Sequence, residues 1–149
     1  MSSSFTGMSL SKRQAAIRAS LSDEVTYYVA LLTALGTAED GSDVTEAAGS
    51  GYARAVAEGW TPGSVSVGAP FSSLATLANT SAVEFAALTG ALGPIVGWAL
   101  YDAAAEGTCL AVGYVLDGEG NPTTASYISG NSPTFFPGSL FVGIAGLLQ

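Results

Sequence analysis

The sequence predicts a mainly β protein, an antiparallel β-sandwich or small barrel of about seven or eight strands with a short N-terminal helix and arm. Three observations lead there. Short β-branched and aromatic runs recur at spacings of about ten residues with turn signals between them. Nineteen glycines and only 11% charged residues describe a turn-rich chain whose surface is covered by small polar groups or by neighbours. Helical periodicity is confined to one segment near the start.

The elements follow in order. "MSSSFTGM" has the composition of a tail that orders on contact. Ser11 fits an N-cap for "KRQAAIRASLS", where Ala15, Ala16 and Ala19 with Ile17 and Leu21 recur at three- and four-residue spacing. "VTYYVALLT" (Val25–Thr33) is a strand buried on both faces. "ALGTAEDGSDVTEAAGSG" (Ala34–Gly51) reads as a long acidic loop, and "GYARAVA" (Gly51–Ala57) alternates Tyr52, Arg54 and Val56 against alanines as a strand does. Trp60-Thr61-Pro62-Gly63 reads as a turn, followed by a short edge strand in "SVSVG". "SLATLANTS" then leads into a strand at Ala82–Ala87, and Gly90, Gly93 and Pro94 break the chain before the strand Ile95–Ala103. A strand at Gly107–Leu116, a turn in "DGEGNPT", a Pro-interrupted connection and a last strand at Ser139–Leu147 complete the chain. In "GWALYDAAAEGTCLAVGYV" the pattern places Trp98, Leu100, Leu110 and Val112 toward the core, with Asp102 and Glu106 in the solvated turn. The organisation expected is a basic arm and helix over residues 1–22 and a single sandwich domain over 23–149.

Charge is divided unevenly. Residues 1–22 hold Lys12, Arg13 and Arg18 and no acid, a balance of +3, whereas residues 23–149 set Arg54 against all twelve acids, a balance of −11. An acidic body repels phosphate backbones, so nucleic acid is not an expected partner. A basic start beside an acidic body suits an arm that docks on acidic surface, a neighbouring copy included. The start lacks the apolar core of a signal peptide. Phe85–Tyr101, although uncharged, carries Thr89, Gly90, Gly93, Pro94 and Gly97 and makes a poor membrane helix, so no membrane association is expected.

Enzyme chemistry finds little to work with. There is no histidine and one cysteine, which removes Ser-His, Cys-His and His-metal arrangements together. Asp102 and Glu106 are paired carboxylates, but they flank "AAA" at a strand end without a second acidic pair or an aromatic platform. Cys109 has neither a histidine nor a lysine nearby to lower its pKa, and reads as a small buried hydrophobe. "DGEGNPT" and "EDGSD" alternate oxygen ligands as calcium loops do, yet the twelfth positions are Ile128 and Gly51 instead of Glu. Asn79-Thr80-Ser81 matches a glycosylation sequon, which carries no weight without a secretory signal. No catalytic residue, cofactor or metal is expected. The surviving candidates are for contact with a partner: the arm residues Lys12, Arg13 and Arg18, and the aromatics Trp60, Phe135 and Phe136 in Pro-flanked stretches.

In this order "TYYVALLTA", "GYARAV", "NTSAVEFAAL", "GPIVGWALYDAAAEGTCLAVG" and the closing "FPGSLFVGIAG" resemble a group of small virion structural proteins of tailed bacteriophages, labelled head-decoration or tail-fibre proteins. The resemblance runs roughly from Thr26 to the C-terminus. The "GTCL" turn, the long "DGEGNPTTASYISGNSPTFF" connection and the basic first 22 residues depart from it. It implies a non-enzymatic virion component assembled in the host cytoplasm. Its first expected role is capsid decoration, a cement protein whose arm and oligomer contacts stabilise the head. Its partners would be the major capsid protein or other virion subunits, and its own copies in a trimer or other symmetric homo-oligomer. The alternatives are a tail or tail-fibre component that contacts the host surface, and a carbohydrate-binding sandwich that uses Trp60.

Overall fold

A computed structural model of the chain describes residues 26–37, 42–66 and 73–145. Among the described residues there are twelve strands and no helix. In chain order they are β1 (Tyr27–Ala34), β2 (Thr45–Glu46), β3 (Ala55–Ala57), β4 (Trp60–Ser66), β5 (Ser73–Asn79) and β6 (Val83–Glu84). The rest are β7 (Leu92–Ile95), β8 (Gly97–Tyr101), β9 (Cys109–Tyr114), β10 (Ala125–Tyr127), β11 (Thr134–Phe135) and β12 (Phe141–Ala145). They fall into two compact units, one built from Thr26–Glu58 and Ala82–Phe135, the other including Gly59–Ser81 and the chain from Phe136 onward.

The larger unit is organised around β1. Its run of Val, Leu and Tyr without a helix-favouring stripe suits a strand covered on both sides, and Val29, Ala30, Leu31 and Leu32 are all buried. β1 pairs antiparallel with β8, Leu31 opposite Trp98 and Val29 opposite Leu100. Its other edge is shared by β2 and β3, and β9 adds to β8, giving a five-stranded sheet ordered β2-β1-β8-β9 with β3 also on β1. Each fully buried Leu or Val contributes about 1.5–3 kcal/mol. Two short antiparallel pairs, β7 with β10 and β6 with β11, complete the unit.

The other unit is a three-stranded antiparallel sheet ordered β12-β5-β4. Asn79, at the end of β5, is buried and ties its segments together. Its Nδ2 donates to the carbonyls of Ser81 and Phe136, both at 2.9 Å, while its Oδ1 accepts from the Leu140 N–H at 2.9 Å.

Several expectations are corrected. No sheet among the described residues closes into a barrel. Trp60-Thr61-Pro62-Gly63 is not a turn but the first half of β4; β4 is an edge strand, where the missing N–H of Pro62 can point away from its neighbour. "SLATLAN" is a full strand, β5, and the expected strand at Ala82–Ala87 shrinks to the two residues of β6. Gly93 and Pro94 lie within β7 instead of breaking the chain, and the acidic loop contains β2. Leu110 and Val112 face outward, 43% and 39% exposed. The reason is steric: Ala111 and Gly113 pair with Leu100 and Trp98, and a Cβ on Gly113 would lie 2.6 Å from Cε2 of the Trp98 indole. The large side chains of β8 fill the inner face, so β9 turns its small residues inward and its large ones out. Cys109, which pairs with Tyr101 beyond a register shift, is half-buried beside the cluster of Ala30, Leu32, Ala99 and Tyr101. The expected helix beginning at Ser11 lies outside the described residues.

Candidate functional site

The most highly constructed feature is a polar clamp around Arg54. The chain leading into β3 places this side chain beside Glu46 of β2, and the guanidinium donates twice to that carboxylate: Nε to Oε1 at 2.9 Å and Nη2 to Oε2 at 2.7 Å. Nη1 donates to the carbonyls of Ala103 and Glu106 at 2.8 and 2.7 Å. The Arg54 side chain is only 6% exposed, and its Cζ lies 3.7 Å from the centre of the Tyr101 ring. The Tyr52 hydroxyl donates to Glu46 and accepts from the Leu31 N–H, and its ring stacks on Phe85. One guanidinium thus holds β2, β3 and the β8–β9 turn in fixed relation.

The electrostatics agree with the geometry. Burial pushes the Glu46 carboxyl up, but the hydrogen bonds from Arg54 and Tyr52 and the Arg54 charge outweigh it and hold the group below its ordinary value. Arg54 is held above its ordinary value chiefly by the hydrogen bonds to Glu46. Burial raises the Tyr52 phenol strongly, so it remains a proton donor. No proton changes hands here at neutral pH. The arrangement is a mechanical fastener.

What the clamp positions is the β8–β9 hairpin. In its turn Asp102 Oδ1 accepts from the Thr108 N–H at 2.7 Å, and Glu106 and Gly107 both adopt positive φ, 54° and 76°. The carboxylates that looked like an acid/base pair in sequence are solvent-exposed turn residues. Beyond the turn, β9 presents Leu110, Val112 and Tyr114 outward, the last 58% exposed, and Leu116 follows at 52%.

The residues singled out in sequence meet different fates. Lys12, Arg13 and Arg18 lie outside the described residues. Trp60 is half-buried at the start of β4, opposite Asn79. Phe136 is 71% exposed, and its carbonyl is held by the same asparagine, so Trp60 and Phe136 flank one anchor. Phe135 packs as a half-buried ring edge-on to Phe85, 6.3 Å between centres, which is a core role. Neither the Arg54 clamp nor the outward face of β9 was singled out in the sequence. The available signal for the first was that Arg54 is the lone cation of an acidic body. Among the described residues no group of three or more His, Cys, Asp or Glu could hold a metal ion.

A family model described as Podophage GP4 fiber I protein gp80 matches residues 14–131. The match spans the whole clamp, the β8–β9 hairpin, Arg18 and Trp60, and leaves out Lys12, Arg13, Phe135 and Phe136. No curated protein and no solved structure matches the chain.

Proposed function

From the chain's membership of the podophage GP4 fiber I protein gp80 family, a family of phage virion structural proteins, we propose that it is a building block of a virion fibre. The observation that carries this is the extent of the match, residues 14–131 of 149, which takes in the five-stranded sheet and its clamp as well as the part of the basic first segment that holds Arg18. The fold supports a passive mechanical part: a hairpin fastened by a buried arginine, exposed apolar side chains, and a chain without histidine. In this reading copies of the protein associate with one another and with other virion subunits, and the segment with Lys12, Arg13 and Arg18 lies on acidic surface of its neighbours.

One observation favours decoration of the head as a second reading. Arg54 is internal, so the remaining cations of the chain are those three, all within residues 1–22. A charge division of that kind suits a clip onto an acidic shell. Gold labelling of a C-terminal tag on intact virions separates the two. Label on a fibre of the tail supports the first reading, label over the head lattice replaces it with the second, and virions without label refute both. Deletion of residues 1–22 is expected to abolish attachment while leaving the β-sheet circular dichroism intact, and undiminished occupancy would refute the role of the arm.

A further inference from the structure

We propose that β9 is a seam along which two copies of this chain pair, strand to strand and antiparallel, about a two-fold axis at Val112. The inference rests on the reading of the protein as a multi-copy virion component.

β9 ends the order β2-β1-β8-β9, and its outer edge carries no strand among the described residues. Sheet proteins blunt such an edge with lysines, prolines, inward-pointing charges or a cover. Here none of the first three is present. From Gly107 to Leu116 there is no charge and no proline, and Leu110, Val112 and Tyr114 stand outward on successive alternate positions. The one irregularity is at Leu110, the extra residue between the pairs Leu100–Ala111 and Tyr101–Cys109, so the regular register with β8 runs over Ala111–Tyr114.

The occupant follows from charge and register. The chain carries −8, so two copies repel wherever carboxylates meet, and the uncharged tract of β9 is where they can approach. An identical strand is self-complementary under a two-fold axis, because antiparallel pairing sets each donor row against an acceptor row. With Val112 on the axis the two Val112 side chains meet, Ala111 of one copy is set opposite Gly113 of the other, and Tyr114 reaches the bulge at Leu110 of the other copy.

The test uses the full chain in solution. Light scattering across a concentration series is expected to show a dimer or an even multiple. Val112→Lys, which sets like charges opposite each other at the axis, is expected to raise the dissociation midpoint by roughly tenfold or more while the circular dichroism is unchanged. In a Cys109→Ser background, Val112→Cys is expected to form a disulfide-linked dimer under mild oxidant, since residues directly opposite across an antiparallel pair lie about 4.5–5.5 Å apart at Cα. Tyr114→Cys in the same background is expected to stay unlinked, because its two copies would be offset by about 13 Å along the strands. The cross-linking pair decides the matter even if the lysine variant misfolds. A chain that stays monomeric, an oligomer whose midpoint ignores Val112→Lys, or equal linking at positions 112 and 114 would overturn the seam. Virion labelling keeps this distinct from the proposed function: a monomeric protein that still labels virions refutes the seam alone, and a dimer absent from virions refutes the function alone.

Discussion

Replacement of Arg54 by Met keeps much of the side-chain volume and removes the charge and every donor. The magnitude can be built from the contacts. The carbonyls of Ala103 and Glu106 sit in an exposed turn and can exchange the guanidinium for water, so they contribute little. The bidentate pair with Glu46 is the larger part: removing one partner of a buried ion pair costs about 3–5 kcal/mol. Glu46 retains 28% exposure and the Tyr52 hydroxyl, which places the loss near the lower end, about 3 kcal/mol with the Tyr101 stacking included. In a chain of this length that corresponds to a fall of about 6–12 °C in Tm. Urea unfolding followed by Trp fluorescence measures it directly. Arg54→Lys restores the charge without the planar fork and is expected to recover less than half of the loss. Combining Arg54→Met with Glu46→Gln is expected to be milder than the sum of the two single changes, because no carboxylate is then stranded. A stability within about 0.5 kcal/mol of wild type for Arg54→Met, or a lysine as good as arginine, would show that the clamp is ornamental.

Three further perturbations probe other parts of the fold. Glu46 is held below the ordinary carboxylate pKa of 4.5, so its contribution is complete above that value and is lost as pH falls through the lowered one. Urea midpoints of wild type and Glu46→Gln should therefore converge below about pH 4.5, and a gap that stays constant to pH 3 would contradict the assignment. The acid sensitivity left in the variant comes partly from Asp117, whose carboxylate is held low by the backbone N–H groups of Asn121 and Glu119. Gly113→Ala drives a methyl into the Trp98 indole and is expected to destabilise by about 1–3 kcal/mol with a changed near-ultraviolet spectrum; an unchanged spectrum and midpoint would refute the packing. Asn79→Ala strips three hydrogen bonds from a site 1% exposed and is expected to cost about 2–4 kcal/mol. Hydrogen exchange at the Leu140 N–H reports it, and retained protection would refute it.

The parts of the fold legible in sequence are those where composition and covering coincide. β1 and β8 are apolar on both faces because both are covered, and the Asp102–Glu106 turn between β8 and β9 is marked by its acids and glycine. The parts that escaped have physical reasons. Pro62 reads as a turn residue until β4 is known to be an edge, a fact about neighbours and not about the segment itself. The run at Ser73–Asn79 is stabilised by β4 on one side and β12 on the other, the latter more than sixty residues along the chain. In "CLAVGY" the alternation was visible, but its phase was set by Trp98 occupying the space above Gly113. At the candidate sites the sequence pointed to aromatics, of which Phe135 serves the core and Phe136 is exposed. The Arg54 clamp stayed hidden because its partners, Glu46, Tyr101 and the carbonyls of Ala103 and Glu106, are assembled only by the sheet.

The burial of Arg54 also has a kinetic consequence. With the guanidinium turned inward, the charge that the described residues offer to solvent is carboxylate, and two such bodies approach against a repulsion that extends about 10 Å in 0.1 M salt. Association along a neutral tract is then limited by the encounter and less by the strength of the final contact. Added salt should speed pairing along β9, the reverse of its effect on docking of the basic first segment to acidic surface.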